Sequence, residues 1–565
     1  MACAAKGRND GGELSAAGVE LTGGSGGNFL ARQARLKGRG RATTGRVDLT
    51  GLLSDDVLVR VLERVPDARD LVRTGALSRR WRGLWTRVPA LRFAFNTRRE
   101  FFRLAAGAER FVAFVDDVLA LRVAQREPGL EHLAISLIIE FYEISDEELQ
   151  QLAPLSIGAA QGWIQHAVEH ALKSFELEMS LRDGACRRSK VLSLDCLPSS
   201  AKLEAMRLDL GEALVRLPAT AVFVSLKSLS LESMMIIKGT WHLLARLLST
   251  ACCPCLQKLR MRDLNLDDFE GMYDQLLPLE AAALSELSME KMNLTDFLQL
   301  KTPNLHVLCM KACMMHTLSI SAPRLEELLL TSQPYYIDVD GELPCVRSLK
   351  AELSSNGNYD NDDINDGTST IRLLRRCKSV RNLELSVHVN ERNDDDQIVD
   401  IINWRMPHLP HVTSLTVHVS LPNLHSIRAG ISDILTQCSN LKYLRVHLDY
   451  PIYMLIRQEQ PFDQESDFFC HLPYDCKSQE ISLAHLQDVE LKGLIGTDCE
   501  LWFMQSVLWS AREVQEVAIS FYPDYQLANR RDASDLLPEL RGGDWTPCSW
   551  GRYSSYKWRP YIVCE

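Results

Sequence analysis

The phrase L-x-x-L-x-L recurs along this chain and constrains its fold more than any other feature. It stands at Leu226-Leu229-Leu231, Leu256-Leu259-Met261, Leu284-Leu287-Met289, Leu305-Leu308-Met310 and Leu325-Leu328-Leu330. It continues at Val380-Leu383-Leu385, Val412-Leu415-Val417, Leu441-Leu444-Val446, Leu486-Val489-Leu491 and Val514-Val517-Ile519. Weaker copies stand at Leu130-Leu133-Ile135, Leu172-Phe175-Leu177, Leu203-Met206-Leu208 and Val346-Leu349. The alternation within each copy predicts a short strand whose leucines point inward while the residues between them face out. One such unit cannot bury its own apolar edge, so the copies must stack. Copies starting at 284 and 305 lie 21 residues apart, those at 226 and 256 lie 30, and those at 441 and 486 lie 45. The tight spacing suits repeats of about 20–29 residues, and the longer gaps must hold helices or loops. Lead-ins such as CPCLQKL, TPNLHVL and APRLEEL put a proline just before the strand, where it ends the preceding element without breaking a ladder. The expected fold class is α/β, with an irregular right-handed solenoid over 95–480 and parallel strands on its concave face.

The outward residues form the candidate recognition strip. They include Lys258, Arg260, Arg262, Glu286 and Glu290, and later Tyr443, Arg445 and His447. Concave solenoid faces are common binding surfaces, although a merely solvated strand face has the same composition. From Ser482 to Phe521 the order strand, turn, amphipathic helix, strand is expected. Gly493 and Gly496 would supply the turn, and Leu501, Met504, Val507 and Leu508 the helical stripe. This 481–521 segment would close the open end of the array. The tail 522–565, with Trp545, Trp550 and Trp558 among Gly, Pro and Ser, carries no structural expectation.

Ahead of the array, residues 48–94 hold signals for three short helices. Ser54 precedes Asp55 and Asp56, a good N-cap followed by first-turn carboxylates. Leu53, Val57, Leu58, Val61, Leu62 and Val65 then form one apolar stripe, ended by Pro66. Asp67 caps a second helix bearing Leu71 and Val72, with Gly75 near its end. Ser78 caps a third, RRWRGLWTRV, in which Trp81, Leu84, Trp85 and Val88 align before Pro89. This apolar surface exceeds what three short helices can hide, at about 1.5–3 kcal/mol per large side chain. Either a partner protein covers it or the helices cap the array.

Little points to chemistry. A formal net charge of -11 and a pI near 5.8 argue against a general nucleic-acid binder. The 16 cysteines are scattered and favour no disulfide framework. Cys252, Cys253 and Cys255 lie in a repeat lead-in, and Cys470, His471, Asp475 and Cys476 lack metal-ligand spacing. The run Asp360, Asp362, Asp363 and Asp366 is not an EF-hand loop, because Ile364 breaks the ligand alternation. No phosphate-binding loop, nucleophile elbow or H-E-x-x-H is present. No apolar run approaches the roughly 20 residues that span a bilayer. The Gly/Arg-rich leader 1–47 reads as disordered. The expectation is a soluble, non-enzymatic protein of nucleus or cytoplasm, without metal, cofactor, nucleic acid or membrane partner.

The segment ending in LSRRWRGLW resembles the F-box of plant F-box proteins. The resemblance runs through Asp48, Leu49, Leu53, Asp55, Asp56, Leu58, Leu62, Pro66, Val72, Arg73, Thr74, Leu77, Ser78, Arg79, Arg80, Trp81, Arg82, Leu84 and Trp85. The repeats behind it are similar to leucine-rich repeats, and 481–521 resembles the FBD domain that closes many such proteins. The resemblance implies a small trihelical F-box, a leucine-rich-repeat solenoid and an FBD-like cap. It also implies a substrate receptor whose F-box docks on a Skp-type adaptor, and through it a cullin, while the repeats hold an unknown protein target for ubiquitination. Leu53, Val57, Leu58, Leu62, Leu71, Trp81 and Trp85 are the expected adaptor face or its immediate support. Ser54 stands where the family has proline and Gly75 where it has a small polar residue, which leaves a non-ligase scaffold with a weakened F-box as the alternative.

Overall fold

The computed structural model describes residues 53–96, 104–124, 129–139, 145–170, 172–181, 191–195, 197–237, 239–266, 276–293, 297–313, 315–331, 336–354, 369–388, 406–420, 427–449, 481–494, 498–521, 544–550 and 553–560, together with 334 and 537. The leader 1–47, the acidic run 360–366, the cluster 470–476 and Gly496 lie outside them. The chain forms two compact units, one ending at Val88 and the other beginning at Pro89.

In the first unit, α1 (Asp55–Leu62) starts at Ser54, whose Oγ accepts from the Val57 N–H at 3.4 Å. The second helix, α2 (Ala68–Thr74), starts at Asp67, whose carboxylate accepts from the Arg69 N–H at 2.7 Å. The expected third helix is instead two 3-10 turns, Trp81–Gly83 and Trp85–Arg87. Gly83 interrupts the run, Thr86 and Val88 are β-branched, and Pro89 forbids a further turn. Leu58, Val59, Leu62, Ala68, Leu71, Leu84, Trp85 and Val88 form the buried interior.

The second unit is built on one long sheet. Residues 90–94, assigned to the helical module from sequence, begin its first strand, Ala90–Asn96, which pairs in parallel with His132–Ile139. Parallel pairing then runs through Ser174–Leu181, Ala205–Arg216, Ser228–Ile236, Lys258–Leu266 and Glu286–Glu290. It continues through Val307–Lys311, Glu327–Thr331, Ser348–Ser354, Asn382–His388 and Ser414–Ser420 to Tyr443–Asp449, Asp488–Leu494 and Glu516–Phe521. The register stacks the phrase on itself: Leu229, Leu259, Leu287, Leu308, Leu328, Leu349, Leu383, Leu415 and Leu444 are successive partners. All nine are buried. A side chain at this position packs against its counterparts in both neighbouring repeats, which is why no repeat is stable alone.

Repeat length decides what covers the leucine side. Where repeats are tight, short return strands (Leu276–Glu280, Phe297–Lys301, Thr317–Ser321 and Tyr336–Val339) make a second parallel sheet. Where they are long, helices fill the gap, including Ser369–Arg376 and Ile427–Thr436. Near the start, Leu104–Ala124 packs Phe111 against Phe95 and Phe114 against Phe93.

In the middle repeats the chain turns its corner at a recurring left-handed residue. Ser233, Asp263, Lys291 and Ala312 all have φ between 47° and 52°. Each directly follows one of four residues in mutual register, Glu232, Arg262, Glu290 and Lys311. None is glycine, so each carries a conformational cost of about 1–2 kcal/mol.

The segment 481–521 folds as strand, helix (Asp498–Ser510) and strand. Gly493 does not make the turn. It lies inside the strand Asp488–Leu494 with φ 82°, where the register slips between Lys492 and Leu494. Nor does this segment end the sheet. A hairpin from the tail, Asp544–Trp550 and Tyr553–Arg559, adds to Glu516–Phe521 antiparallel, with Trp558 opposite Val517 and buried.

Candidate protein-interaction surfaces

The residues expected to form the adaptor face separate into two groups. Leu58, Leu62, Leu71 and Trp85 lie in the first unit's own interior, and Trp81 is half-buried. Leu53 and Val57 are exposed. Two further apolar side chains join them at the surface: Val61, 52% exposed, and Leu77, 70% exposed. Val61 belongs to the apolar stripe of α1 and Leu77 to the F-box resemblance, and neither is among the expected contacts. The helical period resolves the stripe into two faces: Leu58 and Leu62 turn inward, Val57 and Val61 outward.

Charge pins the exposed face to its support. Asp55 and Asp56, in the first turn of α1, accept from Arg80 and Arg87 respectively, both at 2.8 Å. Arg80 also donates to the Leu53 carbonyl. Each pair is partly exposed and worth little in stability, but together they tie the last segment of the unit to its first helix. Gly75 ends α2 with φ -60°, so its backbone needs no glycine. A Cβ there would lie 3.1 Å from the Val72 carbonyl oxygen, a tight approach that glycine relieves.

On the long sheet, the side not packed by leucines carries two charged clusters. In the first, the Glu232 carboxylate is 1% exposed. It accepts from Arg207 Nε at 2.9 Å and Ser230 Oγ at 2.8 Å, and pairs with Arg262 Nη2 at 2.9 Å. Burial acts to raise its pKa, but the Arg207 and Ser230 hydrogen bonds and the two guanidinium charges outweigh it and hold the group below its usual value. Neighbouring Asp209, 3.2 Å from Arg262, is raised by burial. Lys258 and Glu286 pair with each other at 2.8 Å across adjacent strands.

The second cluster lies around the predicted Tyr443, Arg445 and His447. Glu490 is 3.3 Å from Arg445 Nε and 3.5 Å from His447 Nε2. The His447 ring meets His418 edge to face, centroids 4.8 Å apart, and His418 Nε2 lies 3.1 Å from Glu384, which also pairs with Lys350 at 2.6 Å. Burial and the His447 charge push the His418 imidazole below its usual pKa. The strip therefore splits. Arg262 is committed to buried carboxylates, whereas Tyr443 and Arg445 remain exposed on the surface. Sequence reading missed Asp209, Glu232, Glu384, His418 and Glu490. They were recoverable by writing the copies one above another and reading down the outward columns.

Cys252 and Cys253 are buried, and burial pushes the Cys253 thiol up to about 12, the state of a packed apolar residue. Among the described residues no group of three or more His, Cys, Asp or Glu side chains is arranged to hold a metal ion. No described helix is long and apolar enough to cross a membrane.

No family model matches this sequence. Curated relatives do. An FBD-associated F-box protein of Arabidopsis thaliana is 27% identical over 246 residues, 43% of this chain and 51% of the relative. Another of that description, from the same plant, is 33% identical over 132 residues, 23% of this chain and 26% of the relative. An Arabidopsis thaliana F-box/FBD/LRR-repeat protein is 26% identical over 243 residues, 42% of this chain and 46% of the relative. The chain thus spans about half or less of the length of these relatives. With its repeats stacked in one long, mostly parallel sheet, the chain is similar over part of its length to plant F-box proteins described with leucine-rich repeats and an FBD segment.

Proposed function

We propose that this chain is a substrate-recognition subunit of a Skp–cullin–F-box ubiquitin ligase, acting in nucleus or cytoplasm. The observation that carries the reading is in the first unit. It fills its own interior with Leu58, Leu62, Leu71, Leu84 and Trp85, yet leaves Leu53, Val57, Val61 and Leu77 exposed. So much apolar surface on so small a unit suits a protein interface. The resemblance of residues 48–94 to an F-box implies a Skp-type adaptor as the partner. The open face of the sheet then holds a target protein. Such a receptor contributes position rather than a catalytic group, raising the effective concentration of a target lysine near charged ubiquitin.

Co-purification of the full-length chain with a Skp-type adaptor tests this reading. Retention by the parent chain, and its loss in Val57→Asp/Val61→Asp with folding unchanged, supports the receptor. The rival is a scaffold whose F-box no longer engages a ligase, and Ser54 favours it by occupying the family's proline position. Failure of the parent chain with capture by Ser54→Pro is the outcome that selects the scaffold.

A further inference from the structure

One row of side chains is absorbed by neither cluster. In each repeat the residue just before the strand hydrogen-bonds through its backbone to its counterpart in the previous repeat. Arg381 N donates to the Arg347 carbonyl, Thr413 N to that of Arg381, and Lys442 N to that of Thr413, at 2.8–2.9 Å. In earlier repeats basic members of this row pair with acids of the same row, Lys173 with Glu131 and Lys227 with Glu204, and His306 lies 3.3 Å from Glu326. From Arg347 to Lys442 the pairing stops. Arg347, Arg381 and Lys442 are exposed, and none forms an ion pair among the described residues. Arg376, exposed at the end of the helix Ser369–Arg376, accepts at its carbonyl from the N–H of Leu343, four residues before Arg347, at 3.1 Å. Acids nearby are engaged elsewhere: Glu326 with His306, Glu342 with Lys378, and Glu384 with Lys350 and His418.

In a chain of net charge -11, an uncompensated basic row repels itself and attracts anions. Adjacent strands are about 4.8 Å apart, so the row from Arg347 to Lys442 spans about 14 Å, the reach of four or five extended residues. Its exposed arginines suit bidentate pairing with carboxylates. We propose that this row, Arg347–Arg381–Lys442, is the docking edge for a short aspartate- and glutamate-rich segment of the target protein. This rests on the receptor reading, since it names the chemistry the repeats select.

The experiment uses the purified full-length chain and a fluorescein-labelled Asp/Glu-rich dodecapeptide, followed by anisotropy at low and physiological salt. The expected result is saturable binding that weakens with salt. It falls at least tenfold in Arg347→Glu/Arg381→Glu and is unchanged in the distant Lys202→Glu. A milder Arg347→Gln/Arg381→Gln variant, checked for a parent-like melting curve, should lose severalfold. Equal binding by parent and reversal variants overturns the proposal, as does tighter binding of a single-stranded RNA dodecamer than of the peptide. Adaptor retention measured on the same variants separates the two claims. Lost peptide binding with the adaptor retained bears on the row alone, while absence of adaptor from every variant bears on the receptor reading.

Discussion

Glu232 and Arg262 face each other across adjacent strands, the carboxylate 1% exposed and the guanidinium 2.9 Å away. A buried acid on the outward side of a repeat sheet breaks the alternation that puts polar groups in water. It is tolerated because Arg207 and Ser230 complete its coordination. Removing it would leave Arg207, Arg260 and Arg262 without their shared acid, with Asp209 still near Arg207 and Arg262. Because those arginines are partly exposed, Glu232→Ala should cost about 1–3 kcal/mol, that of lost charge-assisted hydrogen bonds rather than of a stranded buried charge. Lys258→Ala, at a pair with both members about half exposed, should change stability by no more than about 0.5 kcal/mol. Urea unfolding followed by circular dichroism compares the two, and equal effects would sink the distinction.

The same acid sets an acid sensitivity. Its pKa is lower folded than unfolded, so its contribution is present above the unfolded value near 4.5 and is lost as pH falls below it. Asp209, raised by burial, acts in the opposite sense: its contribution holds at low pH and is lost as pH rises through its folded value. Asp209→Asn is expected to remove the part of the profile in which stability falls as pH rises above 3.8, and Glu232→Gln the part in which it falls as pH drops below 4.5. Melting temperatures from pH 3 to 7 for both variants read this directly.

In the first unit, Leu58→Ala and Val61→Ala separate interior from surface. Leu58 is fully buried, and its truncation should cost about 2–5 kcal/mol. Val61 is half exposed, and its truncation should leave folding within about 0.5 kcal/mol while reducing adaptor retention. Ser54 has φ -68°, already that of proline. Ser54→Pro thus exchanges a capping bond worth about 1 kcal/mol for a similar gain from a stiffer unfolded chain, and its melting temperature should stay near the parent's.

These contrasts show which parts of the fold were legible. The leucine phrase was readable because a period-2 pattern repeated many times leaves one register, and Leu229 through Leu444 occupy it. Leu58 and Val61 were harder, because one apolar stripe on a short helix does not say which edge a neighbour covers. The run from Arg79 to Val88 misled because its i, i+3, i+4 spacing outweighed Gly83 and the β-branched residues that shorten it. The closing hairpin was invisible: PCSW and SSYKW carry little apolar alternation, and their strands exist because Glu516–Phe521 offers an edge to pair with. The corner row was hidden because none of its left-handed residues is glycine.

Ala312 gives that corner row a test with an unusual sign. Alanine at φ 50° has no polar side chain to compensate the left-handed conformation. Ala312→Gly removes the steric cost and adds about 1 kcal/mol or less of unfolded-state entropy. The expected result is an unchanged or slightly higher stability, where an alanine-to-glycine change at negative φ ordinarily lowers it. A loss of more than about 1 kcal/mol in urea unfolding would mean that the methyl group, not the turn, matters there.

His166 and His170 meet near the end of the helix Asp146–Glu169, ring centroids 4.3 Å apart and planes tilted by 52°. Burial, with the His170 charge, pushes the His166 imidazole down to about 4, against a smaller upward pull from Glu169. The folded state thus keeps His166 neutral while the unfolded chain takes up a proton near pH 6.5. Its contribution is present above 6.5 and is lost progressively as pH falls toward 4. Linkage alone would give about 3 kcal/mol, and partial exposure reduces that to about 1–2 kcal/mol. His166→Gln should remove this part of the acid slope. Hydrogen exchange of the helix at pH 7.5 and pH 5, compared at matched intrinsic rates, is the measurement. Protection that falls at pH 5 in the parent but not in the variant is expected, and parallel behaviour in both would exclude His166 as the sensitive group.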